Sequence, residues 1–371
     1  MTPPEAAPAD VRVAIHAGQL LQPVPGGIGR YVEALLRELP EHGIATEPFA
    51  AGARPELLDH LHTPVAWHDL GRPRASLRYE AWHRLRRPRL RVPADVVHAP
   101  SLAIPPLDGR PLVVTVHDVA FLRHPQSTTR RGIAFHTRGL HLARRDAHLV
   151  LAPSEFTRAE LIHEGFDPDR VRVARLGCDP APRVADTLVA ARVGATGVSG
   201  RYLVTVGTVE PRKRLTVLVE AFRAVRERHP DLSLVIVGPD GWGDVGRLDA
   251  PGVLRLGRLP WTQVDALYRR AQLCCITSVY EGFGLPAAEA MARGCPVVTT
   301  SGGALEEVVG DAGLLVAPGD AVATAAAIEE VLDDPGLRAR LAARGPQRVA
   351  AMGWSHTAAE HAEIYRELAG R

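Results

Sequence analysis

Short apolar runs of strand length alternate with longer stretches of helical period along this chain, and the alternation runs through twice. Residues 11–15, 95–98, 112–116, 147–151 and 171–174 are the strand-like runs of the first half. Residues 202–206, 232–237, 253–256, 273–277 and 296–299 are those of the second. Helical stretches fall between them. One covers 29–39, and one runs to 163 with Ser154 as its N-cap. Another covers 215–228 with Leu218, Phe222 and Val225 on one face, one opens near Pro286, and helices fill most of 321–369. Near-continuous apolar strands separated by helices build parallel sheets covered on both faces. The expected fold class is therefore α/β, with two Rossmann-like doubly wound parallel-sheet domains. A length of 371 residues suits two such domains. The expected boundaries are 1–178 and 201–353. Residues 179–200, with two prolines near the start and Gly194, Gly197 and Gly200 at the end, form the expected linker. Ligands of open parallel sheets bind beyond the carboxyl ends of the strands. The two domains are expected to face a cleft there, so the residues that follow strands carry the functional question.

Composition removes several classes. Hydrophobic residues make up 46% and charged residues 23%, which excludes a disordered chain. Four cysteines exclude a disulfide scaffold, and reduced, packed thiols are expected. No run approaches the length of a membrane-spanning helix. Residues 1–10 are acidic and rich in Pro and Ala, read as a frayed tail rather than a signal peptide, so a cytoplasmic location is expected. A net charge of +2 is too small to argue for nucleic acid. Arginine is dense between Arg78 and Arg91, where Tyr79, Trp82 and Leu85 share a helical face. That stretch suits an anionic membrane surface or a phosphorylated acceptor; the other reading is a solvated surface helix.

Of 44 basic residues, 43 are Arg and one, Lys213, is Lys. It lies in Gly207-Thr-Val-Glu-Pro-Arg-Lys-Arg-Leu215, between a strand and a helix. A compact ammonium on a flexible stem does what a planar guanidinium cannot. Arg212, Lys213 and Arg214 together suit a diphosphate, and fixed cations lower the barrier if that diphosphate leaves.

The string Glu281-Gly-Phe-Gly-Leu-Pro-Ala-Ala-Glu289 also follows a strand and opens a helix. Gly282 and Gly284 permit a tight turn, and Pro286 suits the first helical turn. The N–H groups of Phe283, Gly284 and Leu285 would then face an anion with the positive end of the helix dipole. Glu289 sits in an otherwise apolar helix, where a carboxylate needs partners such as sugar hydroxyls. Glu281, just before the turn, suits polyol groups as well.

His117 and Asp118 follow a strand. His117 suits a sugar hydroxyl or a developing cation with Asp118 to orient it, and a structural histidine is the other reading. Pro25-Gly26-Gly27-Ile28-Gly29-Arg30 lacks dinucleotide spacing, but its glycines allow close approach to an anion and Arg30 is a natural donor. No histidine or cysteine spacing suggests a metal, and none is expected.

Together these residues resemble the family 4 retaining glycosyltransferases, which have the GT-B fold. Glu281 to Glu289 looks like that family's E-x7-E motif, and Gly207 to Leu215 is similar to its phosphate-binding segment. His117-Asp118, Gly26-Gly27-Ile28, Ser154-Glu155-Phe156-Thr157 and the stretch from Gly302 also follow the pattern. The resemblance covers nearly the whole chain. It implies that His117, Lys213 and Glu281 are catalytic and that residues 354–371 form a last helix packing back on the N-terminal, acceptor-binding domain. Donor contacts are implied at Gly27, Arg212, Lys213, Glu281, Phe283, Gly284, Leu285 and Glu289, with Gly257, Arg258 and Leu259 framing the base. Arg30 and Asp118 would meet the acceptor. Many relatives carry Arg where this chain has Thr208, so Arg212 would compensate. The implied reaction is retaining, metal-independent hexose transfer from a nucleotide diphosphate sugar to a glycan or lipid-linked acceptor. GDP-mannose is the first expectation and a UDP-sugar the second. The nucleotide sugar is a cosubstrate, and no cofactor is expected. A sugar-nucleotide epimerase, a pyridoxal-phosphate phosphorylase using Lys213 and a silent binding module are the competing readings.

Overall fold

The computed structural model describes residues 10–22, 24–52, 67–71, 75–106 and 108–370, so the expected tail over 1–9 lies outside the described residues. Two sheets form, and every strand pairing within them is parallel. The first contains β1 (Val11–His16), β2 (Ile44–Ala50), β3 (His68–Asp69), β4 (Val96–Ala99), β5 (Leu112–Thr115), β6 (Leu149–Ala152) and β7 (Val171–Val173). The second contains β8 (Tyr202–Val206), β9 (Ser233–Val237), β10 (Val253–Gly257), β11 (Leu273–Ile276), β12 (Val297–Thr300) and β13 (Leu314–Val316). Their orders are β3-β2-β1-β4-β5-β6-β7 and β10-β9-β8-β11-β12-β13. Both start in the middle, wind outward one way, then return and wind the other way. This is the doubly wound Rossmann-like order, and it opens a crevice beyond β1/β4 and beyond β8/β11.

Sequence dictates this order through burial. Strands β4, β5, β6, β11 and β12 are buried at every residue, as central parallel strands must be. The helix Leu215–Arg228 packs Leu218, Phe222 and Val225 against the second sheet, each fully buried. Burial of each such side chain stabilises by about 1.5–3 kcal/mol.

The chain divides into two compact units. The first comprises the described residues up to Val119, then Arg130–Gly177 and the residues from Trp354 on. The second comprises Cys178–Gly353 together with Ala120–Thr129. The short 120–129 stretch joins the second unit through Trp242, whose indole N–H donates to Ser127 O, and through the edge of Tyr280 against His124. The last helix, Trp354–Ala369, belongs to the first unit, where Ala358, His361 and Tyr365 are wholly buried. Its start is seated on Gly177: a Cβ there would lie 2.5 Å from the Trp354 ring.

Several local expectations change. The segment expected as a linker contains the helix Asp186–Gly194, which packs on the helix Trp261–Arg270 by Val189 and Val193. Its glycines come only at the end and after it. The loop expected at 25–28 is instead the first turn of the helix Gly26–Glu38. Gly29 lacks a Cβ, so the Pro25 ring packs against that turn, and Pro25 O accepts from Gly29 N–H at 3.0 Å. β2 escapes the periodicity because Thr46, Glu47 and Pro48 interrupt its apolar run. In the helix Ala75–Leu85, Trp82 is core but Leu85 is 70% exposed, so the three residues do not form one buried face. The four cysteines are buried and none is disulfide-bonded.

Gly238 sits where the loops after β8 and β9 touch. Its φ is +146°, and a Cβ would lie 1.9 Å from Gly207 O. Gly238→Ala is expected to cost about 3 kcal/mol or more, lowering the melting temperature by roughly 6–12 °C in thermal unfolding.

Candidate functional site

The crevice beyond β8 and β11 brings two loops together. Residues Gly207–Arg214 leave β8, and Thr277–Gly284 leave β11. Backbone and hydroxyl bonds stitch them: Val279 N–H donates to Arg212 O at 3.0 Å, and the Thr277 hydroxyl donates to Lys213 O at 2.9 Å. Arg214 takes a left-handed conformation, φ +48°, which turns the chain into the helix Leu215–Arg228. The second loop is fixed from behind by Gly302 and Gly303. Cβ atoms there would lie 2.6 Å from Ser278 O and 2.3 Å from Glu281 O, and Ala304 N–H donates to Glu281 O at 2.8 Å.

These bonds deliver Lys213, Arg212 and Glu281 to one point. The Lys213 ammonium lies 2.5 Å from Glu281 Oε1, and Arg212 donates to Glu281 Oε2 at 2.9 Å. Arg212 also donates to Tyr280 O at 2.6 Å and to Glu210 Oε1 at 2.6 Å. Two cations therefore meet two carboxylates. Burial alone would push the Glu281 carboxyl up; the charges of Arg212 and Lys213 overcome it and hold it down at about 2. The third cation of the loop, Arg214, is exposed. Gly207, with φ +154°, leaves room over the ammonium, since even a Cβ there would stand 3.6 Å from Lys213 Nζ. Lys213, Gly207, Thr208, Ser278 and Pro286 line a hollow at this spot.

The helix Leu285–Ala292 begins beside it. Gly284 caps it in a left-handed conformation, φ +100°, where a Cβ would strike Leu305. Pro286 lies in its first turn. Among the described residues, the N–H groups of Phe283, Gly284 and Leu285 find no backbone acceptor in a turn, loop or cap, as expected at and just before the start of a helix. Glu289, one turn further, is 4% exposed. Gly257 closes β10 with φ +64° and accepts from Gly238 N–H at 2.8 Å, so Gly257, Arg258 and Leu259 stand at the same end of the sheet, two strands from β8.

In the first unit, His117 and Asp118 follow β5, at the carboxyl end of that sheet. His117 Nε2 lies 3.0 Å from Pro100 O. A carbonyl only accepts, so Nε2 carries the proton. Burial holds His117 below its ordinary value, which keeps the ring neutral near pH 7. Gly27 and Arg30 lie in the first turns of the helix Gly26–Glu38.

Glu210 and the Gly302-Gly303 pair received no role from sequence alone. The signal for Glu210 is its place two residues before Arg212: a buried carboxylate there balances a partly buried guanidinium. Among the described residues no three His, Cys, Asp or Glu side chains group as metal ligands, and no helix is long and apolar enough to cross a membrane.

Two family models match the chain. Glycosyltransferase Family 4 covers residues 25–182, and Glycosyl transferases group 1 covers 194–348. The O-antigen chain mannosyltransferase B of Escherichia coli is 33% identical over 288 residues, 74% of this chain and 74% of that protein. The chain belongs to the family 4 glycosyltransferases. A second relative, the glycogen synthase of Mycobacterium tuberculosis, is 32% identical over 292 residues, 73% of this glycosyltransferase and 68% of that protein. The crystal structure of Anabaena HepE in complex with UDP and glucose superposes with a TM-score of 0.73, covering 97% of this chain and 99% of that one at 21% identity, a likeness of GT-B fold. The Gly207–Leu215 and Glu281–Glu289 motifs of this glycosyltransferase thus lie within the group 1 match, and His117 within the family 4 match.

The depressed Glu281 carboxyl sets a pH window. Its ionised form stabilises the fold fully above the ordinary value of 4.5, and that contribution is lost as pH falls toward 2. Glu281→Gln lacks it. The melting-temperature gap between wild type and variant should stay constant from about pH 8 to 5 and narrow below about 4.5.

Proposed function

We propose that this glycosyltransferase moves a hexose from a nucleotide diphosphate sugar to a glycan or lipid-linked acceptor, with retention and without a metal. The carrying observation is the Lys213–Glu281–Arg212 cluster at the β8/β11 crevice, beside the start of the helix Leu285–Ala292. A diphosphate placed over Gly207 would meet the Lys213 ammonium and the N–H groups of Phe283, Gly284 and Leu285. Glu281 would accept from hydroxyls of the sugar, Glu289 from the ribose, and the Gly257–Leu259 turn would frame the base. His117 would flank the sugar carbon that reacts, with Arg30 and Asp118 toward the acceptor.

The acceptor oxygen replaces the diphosphate oxygen at the anomeric carbon. The electron pair of the broken bond leaves with the nucleoside diphosphate, whose freed oxygen takes the proton given up by the acceptor hydroxyl. Negative charge would grow on the leaving group, and Lys213 and the helix amides would meet it there. GDP-mannose is the first donor, a reading supported by likeness to a mannosyltransferase. A UDP-sugar is the second, supported by the fold shared with a UDP-bound neighbour. A bacterial envelope glycan is the natural acceptor class under the first reading.

In a thermal-shift panel of nucleotide diphosphate sugars, the true donor at 100 times its dissociation constant stabilises by about 2.7 kcal/mol. Lys213→Ala should lower kcat/KM by about 10²–10³-fold, and a chelator should leave wild-type turnover unchanged. Wild-type turnover in Lys213→Ala would remove this site from the reaction.

Location at the inner membrane face is part of the same proposal. Exposed Leu77 and Leu85 flank exposed Arg84, with Arg87, Arg89 and Arg91 exposed just beyond. The protein is expected to sediment with anionic vesicles at low salt and to be released by salt. Equal recovery with neutral vesicles would oppose that location.

A further inference from the structure

The first unit contains a chain of buried polar groups that the donor site does not use. Its direction is fixed by its end. His361 Nδ1 lies 2.7 Å from Thr357 O, and a carbonyl only accepts, so Nδ1 carries the proton. Burial lowers His361 to about 4, so its Nε2 is an acceptor near neutral pH. Nε2 therefore takes the proton of Tyr31 OH at 2.6 Å. The Tyr31 oxygen then accepts from the Thr115 hydroxyl at 3.0 Å, and Thr115 Oγ1 accepts from His98 Nε2–H at 2.8 Å. His98 is likewise held neutral by burial, and its Nδ1 accepts from Tyr365 OH at 2.8 Å. The chain begins at Tyr365 and ends at Thr357, both on the helix Trp354–Ala369. Between them it crosses β4, β5 and the helix Gly26–Glu38.

Its middle member touches His117. The Tyr31 and His117 rings meet edge to face, centroids 5.2 Å apart at 81°. On its other side His117 donates to Pro100 O. The imidazole is thus held between a carbonyl just past β4 and a phenol ring whose hydroxyl is tied at both ends. Its own strand, β5, is pinned two residues earlier by Thr115.

We propose that Tyr31 is a positioning residue for His117, and that His361 of the last helix holds Tyr31 in place. The helix Trp354–Ala369 thereby sets the aim of the imidazole. The inference rests on the reading that His117 flanks the reacting sugar carbon, and two independent readouts separate it from that reading.

The first readout is the side-chain nitrogen NMR spectrum of His117 in the full chain. Wild type should show a single tautomer with Nε2 protonated. Tyr31→Leu should show averaged or broadened His117 signals. Tyr31→Phe, which keeps the ring but cuts the chain, should show a smaller change, and His361→Phe should reproduce it. The Tyr31→Phe/His361→Phe double variant should add nothing to Tyr31→Phe, because the Tyr31–His361 bond is already cut in that single variant. The second readout is kinetic: kcat should fall at least about tenfold in Tyr31→Leu, with donor KM within about twofold of wild type. A wild-type His117 spectrum in folded Tyr31→Leu overturns the proposal. Should that variant not fold, a wild-type spectrum in Tyr31→Phe overturns it. A changed spectrum with unchanged kcat upholds the positioning and instead removes His117 from the reaction, as full turnover in His117→Ala would.

Discussion

A buried carboxylate between two cations organises the crevice beyond β8 and β11. Glu281 alone in that position would be costly, because a desolvated charge without partners costs several kcal/mol. Arg212 and Lys213 remove the penalty, and Glu210 balances the second positive charge. The cluster is therefore close to neutral by itself. Under the proposed function an incoming diphosphate would add negative charge and compete with Glu281 for the Lys213 ammonium. A lysine suits that competition better than an arginine. Its three donors sit on one small atom at the end of a flexible stem, so it can share itself between a carboxylate and a phosphate. The guanidinium of Arg212 lies across Glu210, Glu281 and Tyr280 O, a planar brace that orients Glu281.

Strand order decides that these groups meet at all. Lys213 and Glu281 are 68 residues apart, yet β8 and β11 are neighbours in the sheet. The chain leaves β8 to build β9 and β10 on one side and then returns to β11 on the other, so the loops after β8 and β11 diverge around a crevice. Glycines at the closest approaches allow the loops to pack without side chains between them. Gly303 against Glu281 and Gly238 against Gly207 are two such places, each too close for a Cβ.

The parts most open to reading from sequence were those with a repeating physical signal. Fully buried strands such as β5, β6 and β11 show as apolar runs, and Leu215–Arg228 shows its apolar face at helical spacing. Glu281, Lys213 and Glu289 stood out because charged residues in buried or strand-following positions need a reason. Less visible were elements whose polar residues face inward or whose pattern is broken. β2 carries Glu47 and Pro48, and the helix Arg130–Asp146 hides behind its arginines. The helix Asp186–Gly194 lies in a stretch bracketed by proline and glycine. The ion pairs of Arg212 with Glu210 and Glu281 were not legible either, because a guanidinium reads the same in sequence with or without carboxylates beside it.

The two units solve the problem of buried polarity in different ways. The second compensates charge with charge at its crevice. The first aligns neutral groups head to tail, and three of them come from one face of one helix: Thr357, His361 and Tyr365 recur every four residues, which stacks them on adjacent turns. A Leu or Ala at position 361 would leave the Tyr31 hydroxyl buried without its acceptor, a loss of roughly 1–3 kcal/mol. The helix is therefore not a simple hydrophobic cover. Residues 31, 98 and 115 cannot satisfy all their polar groups among themselves: one donor, the Tyr31 hydroxyl proton, and one acceptor, His98 Nδ1, are left over. His361 of the last helix accepts the first, and the Tyr365 hydroxyl donates to the second. The interior of the first unit is thus completed by the most distant part of the sequence, and the β5 end that carries His117 is finished only when that helix has docked.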